Sequence, residues 1–147
     1  MVMIRELRGS DKPRWDELWA GYLEFYKATD LPAPITALTW RRLLDPAVQP
    51  YGLAALDGDR MIGFVHYHFH LSTWSATDYC YLEDLFVDPA VRGQGAGRAL
   101  IEAVYAAARQ RGSTRVYWHT QEFNKQARTL YDRVARLTPF VQYRHGD

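Results

Sequence analysis

Apolar and polar residues alternate over positions 2–7, as expected of a half-buried strand. Ser10 then offers a cap for a helix over 12–27. Its apolar face, Leu18, Trp19, Tyr22, Leu23, Phe25 and Tyr26, recurs at helical spacing. Leu31-Pro32-Ala33-Pro34 breaks that helix, and a second one over 36–44 stops before Pro46. Strands over 51–56 and 61–71 flank Asp57-Gly58-Asp59-Arg60, a strong hairpin signal. A polar link, 72–77, leads to a strand over 79–87 and a loop over 88–93. A helix over 95–110 follows, ended by Gly112. The pattern closes with a strand over 115–120, a helix over 124–136 and a strand over 140–143. The order β-α-α-β-β-β-α-β-α-β predicts a mixed α/β sheet with helices on both faces.

Composition changes this picture little. The 147 residues suit one domain spanning 1–147, and 48% apolar with 24% charged residues is an ordinary globular mixture. No apolar run is long enough to span a membrane. The first residues lack the form of a signal peptide, so a cytoplasmic protein is expected. One cysteine, Cys80, excludes an internal disulfide and a cysteine-rich zinc site. A net charge of +1 gives no reason to expect nucleic acid as a partner. The aromatic-rich strands and an exposed-looking last strand make a homodimer the expected assembly.

The chemistry concentrates after the strand 79–87. Asp88-Pro89-Ala90-Val91 leads into Arg92-Gly93-Gln94-Gly95-Ala96-Gly97, then into an unbroken helical pattern. Glycines let the backbone turn tightly and let an anion approach. The first turn of a helix leaves amides unpaired, and its dipole favours negative charge there. Strand, glycine loop and helix start together make a phosphate cradle. The spacing differs from the Gly-x-Gly-x-x-Gly of dinucleotide folds, and Gly-Lys-Ser/Thr is absent.

Arg/Gln-x-x-Gly-x-Gly/Ala after Val-Asp-Pro resembles the coenzyme A signature of the GNAT superfamily of N-acetyltransferases. The element order resembles that fold too, a mixed, mostly antiparallel twisted sheet, so the likeness covers nearly the whole chain. Tyr81-Leu82-Glu83-Asp84-Leu85-Phe86-Val87 and Ser72-Thr73-Trp74 resemble the diamine (spermidine/spermine) branch. Val116-Tyr117-Trp118-His119-Thr120 and Pro139-Phe140-Val141-Gln142-Tyr143 resemble the fungal histone and D-amino-acid acetyltransferases. The family's Gly-Phe or Gly-Ala after the tyrosine region is replaced by Asp132-Arg133-Val134-Ala135-Arg136-Leu137-Thr138-Pro139, so the end of the chain departs from the pattern.

The resemblance implies acetyl-CoA as co-substrate, with no metal. By position, Arg92, Gly93, Gln94, Gly95, Ala96, Gly97 and Arg98 would hold the pyrophosphate. The backbone of Leu85, Phe86 and Val87 would pair with the pantetheine arm, and an amide at Phe86 or Val87 would stabilise the oxyanion. The family's strand carries a bulge there, which nothing in this sequence marks. Asn124 would contact the arm, and Tyr131, seven residues on and on the same helix face, would be the general acid. A capping Asn and a core Tyr would show the same spacing; the phosphate loop upstream favours the site. Glu83 and Asp84, as strand neighbours, are expected on opposite faces. By resemblance Glu83 is the candidate base, directly or through water. Asp84 is either a binder of a cationic amine or half of a structural ion pair. The first two helices wall the family's acceptor site, making Glu24 and Tyr26 substrate candidates. His66, His68 and His70 spread along one strand face and do not converge as metal ligands.

The expectation is therefore an N-acetyltransferase acting on a primary amine (small amine, polyamine or amino acid) in a ternary complex. The alternatives are a non-catalytic acyl-CoA sensor or a protein lysine acetyltransferase.

Overall fold

A computed structural model describes residues 1–91 and 93–147. Strand β1 is Val2–Glu6. A 3-10 turn, Gly9–Asp11, leads into helix α1, Lys12–Phe25. Asp11 accepts two hydrogen bonds from the Arg5 guanidinium, at 2.8 and 2.9 Å, and one from the Arg8 amide. That triple acceptance holds its carboxyl below the usual range and staples β1 to the helix start. Helix α2 is Ala33–Leu44, three residues earlier than the proline pair suggests. Pro34 sits in the first turn, where its missing N–H would have had no partner anyway.

Strands β2, Tyr51–Asp57, β3, Arg60–Leu71, and β4, Asp78–Val87, form an antiparallel meander with β1. Helix α3, Ala96–Arg111, crosses back to β5, Val116–Tyr117, which runs parallel to β4. Helix α4 is Lys125–Val134. The sheet order is β1-β2-β3-β4-β5.

Two cores result. On one face Trp15, Leu18, Trp19, Trp40 and Leu43 of α1 and α2 pack on Ala54, Leu56, Met61 and Phe64. Trp15 stacks on Trp19 at 5.4 Å, and the Trp19 indole donates to Thr36 Oγ1 of α2. On the other face Leu100, Ile101, Val104 and Ala108 of α3 cover Val65, Tyr67, Phe69, Cys80 and Leu82, and Leu130, Tyr131 and Val134 of α4 pack against them. No helix among the described residues is long and apolar enough to cross a membrane.

β3 and β4 approach so closely that a Cβ on Gly63 would lie 2.8 Å from the carbonyl oxygen of Phe86. Since that oxygen is fixed in the ladder, Gly63→Ala should destabilise the protein by about 1–3 kcal/mol. An unchanged urea midpoint would contradict this.

The expected strand over 115–120 shrinks to two paired residues, and the expected last strand over 140–143 does not form. A strand needs a neighbouring edge, and so short a β5 offers almost none. Leu137, Phe140, Val141 and Tyr143 are consequently exposed.

Candidate active site

The register of β3 against β4 places His66 opposite Asp84 but Tyr67 opposite Leu82, so Glu83 is an extra residue in β4. This is a β-bulge, and it shifts the pleat by one. Tyr81 below it lies with His68 on the α1 side, and Cys80 and Leu82 belong to the α3 core. Above it Leu85 and Val87 pack on the α3 side, and Phe86 joins the α1 side. Glu83 and Asp84 therefore share the α1 face. This corrects the expectation of opposite faces, which holds only for an unbroken alternation.

The pairing with β5 also ends early. Cys80 pairs with Val116 and Tyr81 with Tyr117, after which β4 has no strand partner on that side among the described residues. The Asp88 amide donates to the Ile62 carbonyl at 2.8 Å, toward β3. Antiparallel pairing alternates, so the backbone groups of Phe86 also face β3, as its oxygen beside Gly63 indicates. The amides of Leu85 and Val87 face the open side. Between the two sequence candidates for the oxyanion donor, this geometry favours Val87 over Phe86.

The loop after β4 begins under restraint. Arg14 of α1 donates to the Met61 carbonyl at 2.9 Å and to Asp88 Oδ2 at 2.6 Å. The Ala90 amide and Arg14 together hold the Asp88 carboxyl below its usual range. Gly93 and Gly95 take φ values of 74° and 72°, in the left-handed region where glycine is at home. Gly95 is the N-cap of α3, so the amides of Ala96, Gly97 and Arg98 form its first turn and have no partners within the helix. Gln94 instead donates its side-chain amide to Asp57 at 3.2 Å. Arg92, expected to share the loop's phosphate contacts, lies outside the described residues. The cradle fits a pyrophosphate, and the open β4 edge fits an extended amide-bearing arm.

Across the opening stands α4. Asn124 is its N-cap residue, and its side chain donates to Thr120 Oγ1 at 3.3 Å instead of capping. Tyr131 packs edge-on against Trp118 with ring centres 5.3 Å apart. Its hydroxyl has no hydrogen-bond partner among the described residues. Burial, then the nearby Tyr26, pushes its pKa up to about 12, so it is protonated at neutral pH. The Tyr105 hydroxyl donates to the Val134 carbonyl at 2.8 Å and anchors the far end of α4. Gly97 keeps α3 and α4 close, since a Cβ there would lie 3.2 Å from Leu130 Cδ2.

Tyr26 links the two sides. Burial and the charge of Asp84 raise its pKa, partly offset by the Thr120 hydroxyl. Although Glu83 is exposed, enough protein surrounds its carboxyl that desolvation, then the charge of Asp84, raises its pKa. Glu24 sits apart from this cluster. It lines an open groove of about 500 Å³ with Arg14, Gly21, Phe25, Phe86 and Asp88.

The histidine stripe is absorbed by separate partners: His66 by Trp15 and Asp84, His70 by Tyr117, and His68 by the edge of Tyr81. Among the described residues no group of three or more ligand-type side chains converges. Sequence reasoning missed Tyr22 and Tyr81. Tyr22, one turn before Tyr26 on the apolar stripe of α1, reaches Asp84, and Tyr81 meets His119 Nδ1 at 3.0 Å. The i, i+4 spacing of Tyr22 and Tyr26 was the available signal.

The Acetyltransferase (GNAT) family model matches residues 14–135. The D-amino-acid N-acetyltransferase HPA3 of Saccharomyces cerevisiae is 38% identical, over 99% of this chain and 91% of its own. A thialysine N-epsilon-acetyltransferase of Caenorhabditis elegans is 33% identical over 57% of this chain and 52% of its own. The solved structure of AAC(6')-Iy in complex with the bisubstrate analog CoA-S-monomethyl-acetylneamine superposes with a TM-score of 0.83. It covers 100% of this chain and 99% of that one, at 17% identity.

Proposed function

The chain belongs to the acetyltransferase (GNAT) family and is an acetyl-CoA-dependent N-acetyltransferase, and from that premise we propose that it acetylates the primary amine of a small molecule by direct attack in a ternary complex. The observation that carries this reading is the convergence at the β4 bulge. Glu83 and Asp84 lie on one face, the charge of Asp84 reaches Tyr26, Tyr26 in turn bears on Tyr131, and the β4 edge beside the carboxylates is open.

In this reading residues 93–98 hold the pyrophosphate, and Leu85 and Val87 pair with the pantetheine arm. Asn124 orients that arm. Glu83, directly or through one water, takes a proton from the bound ammonium, and the freed nitrogen attacks the thioester carbonyl. The Val87 amide faces the oxygen that gains charge. As the carbon–sulfur bond breaks, Tyr131 gives its proton to the sulfur, and it regains one from the acetylated nitrogen. The net reaction forms the amide and the free thiol and releases the proton held by Glu83. Cys80 plays no part. It is buried, and burial pushes its pKa up to about 12, so it is a poor nucleophile.

The acceptor class follows from charge and kinship. A carboxylate at the cleft suits an amine that arrives protonated. The similarity to D-amino-acid and thialysine acetyltransferases supports an amino acid or a diamine-like acceptor. The test is release of free thiol from acetyl-CoA with D- and L-amino acids, thialysine and polyamines. Release with at least one class is expected. Tight acetyl-CoA binding with no release across the panel would instead favour a sensor.

A base must be deprotonated to act, so activity should rise with pH through the pKa of Glu83. Because that pKa is raised, the acid limb of kcat/KM should lie above the ordinary carboxylate range. Glu83→Gln should remove the limb and lower kcat by roughly a hundredfold or more. The exposed apolar residues Leu137, Phe140, Val141 and Tyr143 support a homodimer, testable by light scattering.

A further inference from the structure

Beneath the cleft runs a buried line of polar groups. The Trp15 indole N–H donates to His66 Nε2 at 3.2 Å, and His66 Nδ1 lies 2.9 Å from Asp84 Oδ2. The Tyr22 hydroxyl donates to Asp84 Oδ1 at 2.5 Å. An indole N–H can only donate, so Nε2 must accept. The imidazole is thus neutral, with its proton on Nδ1 directed at Asp84. Trp15 is fully buried and His66 is 1% exposed. Polar groups so placed cost several kcal/mol unless paired, and here each has a partner. Both Asp84 oxygens already carry a donor from within the protein.

The line meets β4 at the bulge. His66 is paired with Asp84 in the last register before Glu83 drops out of the ladder. It therefore ties α1, β3 and the upper half of β4 together where the alternation shifts. Phe64 stacks on the His66 ring at 4.6 Å and fixes its plane.

We propose that Trp15, His66, Asp84 and Tyr22 form a positioning chain for acetyl transfer, in which Asp84 binds no substrate but holds the bulge so that Glu83 is presented to the amine. This rests on the reading of Glu83 as proton acceptor. It also replaces the role of amine ligand that the sequence offered for Asp84. Asp84 acts on Glu83 in two ways. It fixes the backbone from which Glu83 projects, and its charge favours the proton on Glu83. The other groups that bear on Glu83 are His66 and His68 of β3, Tyr81 of β4, Tyr117 of β5 and Tyr22 of α1. His68 and Tyr81 oppose Asp84, while burial acts with it.

Three variants test the chain in the full-length protein. Asp84→Asn keeps the shape and removes the charge. It should move the acid limb of kcat/KM down by about one pH unit and lower kcat about tenfold. His66→Phe fills the same space without a donor. It should lower kcat by about tenfold or more with KM for acetyl-CoA within about twofold, and His66→Asn, which restores an N–H near Nδ1, should recover part of the loss. Activities are to be normalised to the folded fraction by circular dichroism. Suppose Glu83→Gln removes the acid limb, but Asp84→Asn leaves it in place and His66→Phe keeps wild-type kcat per folded molecule. The positioning chain is then wrong and the base assignment stands. If Glu83→Gln itself leaves the limb unmoved, another group accepts the proton and both readings fall.

Discussion

Tyr131→Phe is expected to lower kcat by roughly ten- to a thousandfold while KM for acetyl-CoA changes by less than about twofold. The change removes one oxygen and leaves the ring against Trp118, so α4 and the contacts of Asn124 should stay in place. The Tyr131 ring packs against the α3-side core, and its hydroxyl has no hydrogen-bond partner among the described residues. With its pKa pushed up to about 12 it keeps its proton at neutral pH and is available as a donor to the departing sulfur. Burst-free steady-state kinetics with a saturating amine would read the effect directly. A variant with wild-type kcat would remove Tyr131 from the mechanism.

The second large effect belongs to the phosphate loop. Gly95→Val should raise KM and Kd for acetyl-CoA at least tenfold while kcat at saturation falls much less. A β-branched residue at φ 72° costs about 1–3 kcal/mol of local strain. Relieving that strain would turn the first amides of α3 away from a bound pyrophosphate. Among the described residues nothing beyond its chain neighbours lies within 4 Å of a Cβ built on Gly95, so the core should be untouched and the loss confined to the cradle. Calorimetric titration with coenzyme A separates this from a catalytic defect; unchanged affinity would show that the pyrophosphate is held elsewhere.

Much of the fold could be read from the sequence because its signals are local. The hairpin at Asp57-Gly58, the apolar stripes of α1 and α3, and the stop at Gly112 each depend on a few neighbouring residues, and each element appears within a few positions of its expected place. The loop at Gly93 and Gly95 was legible for the same reason. What failed depends on partners distant in sequence. A strand over 140–143 has a suitable pattern but needs an edge, and the short β5 withholds one. The bulge at Glu83 leaves no mark in composition, because it is set by the register of β3 against β4. Hence the shared face of Glu83 and Asp84 was beyond reach, although both residues stood out. His66 shows the same limit. In the sequence it is one of three alternating histidines, and only the fold sets it between Trp15 and Asp84.

The two-residue length of β5 has one more consequence. A sheet that stops pairing halfway along β4 leaves backbone groups hydrated that would otherwise add to stability, and it leaves an edge on which foreign strands can grow. A ligand that fills that edge completes the sheet as a borrowed strand would. Because it binds only the folded chain, at a hundred times its Kd it would add about 2.7 kcal/mol to stability. Loss of acetyl-CoA would then lower the stability of the folded chain as well as its turnover.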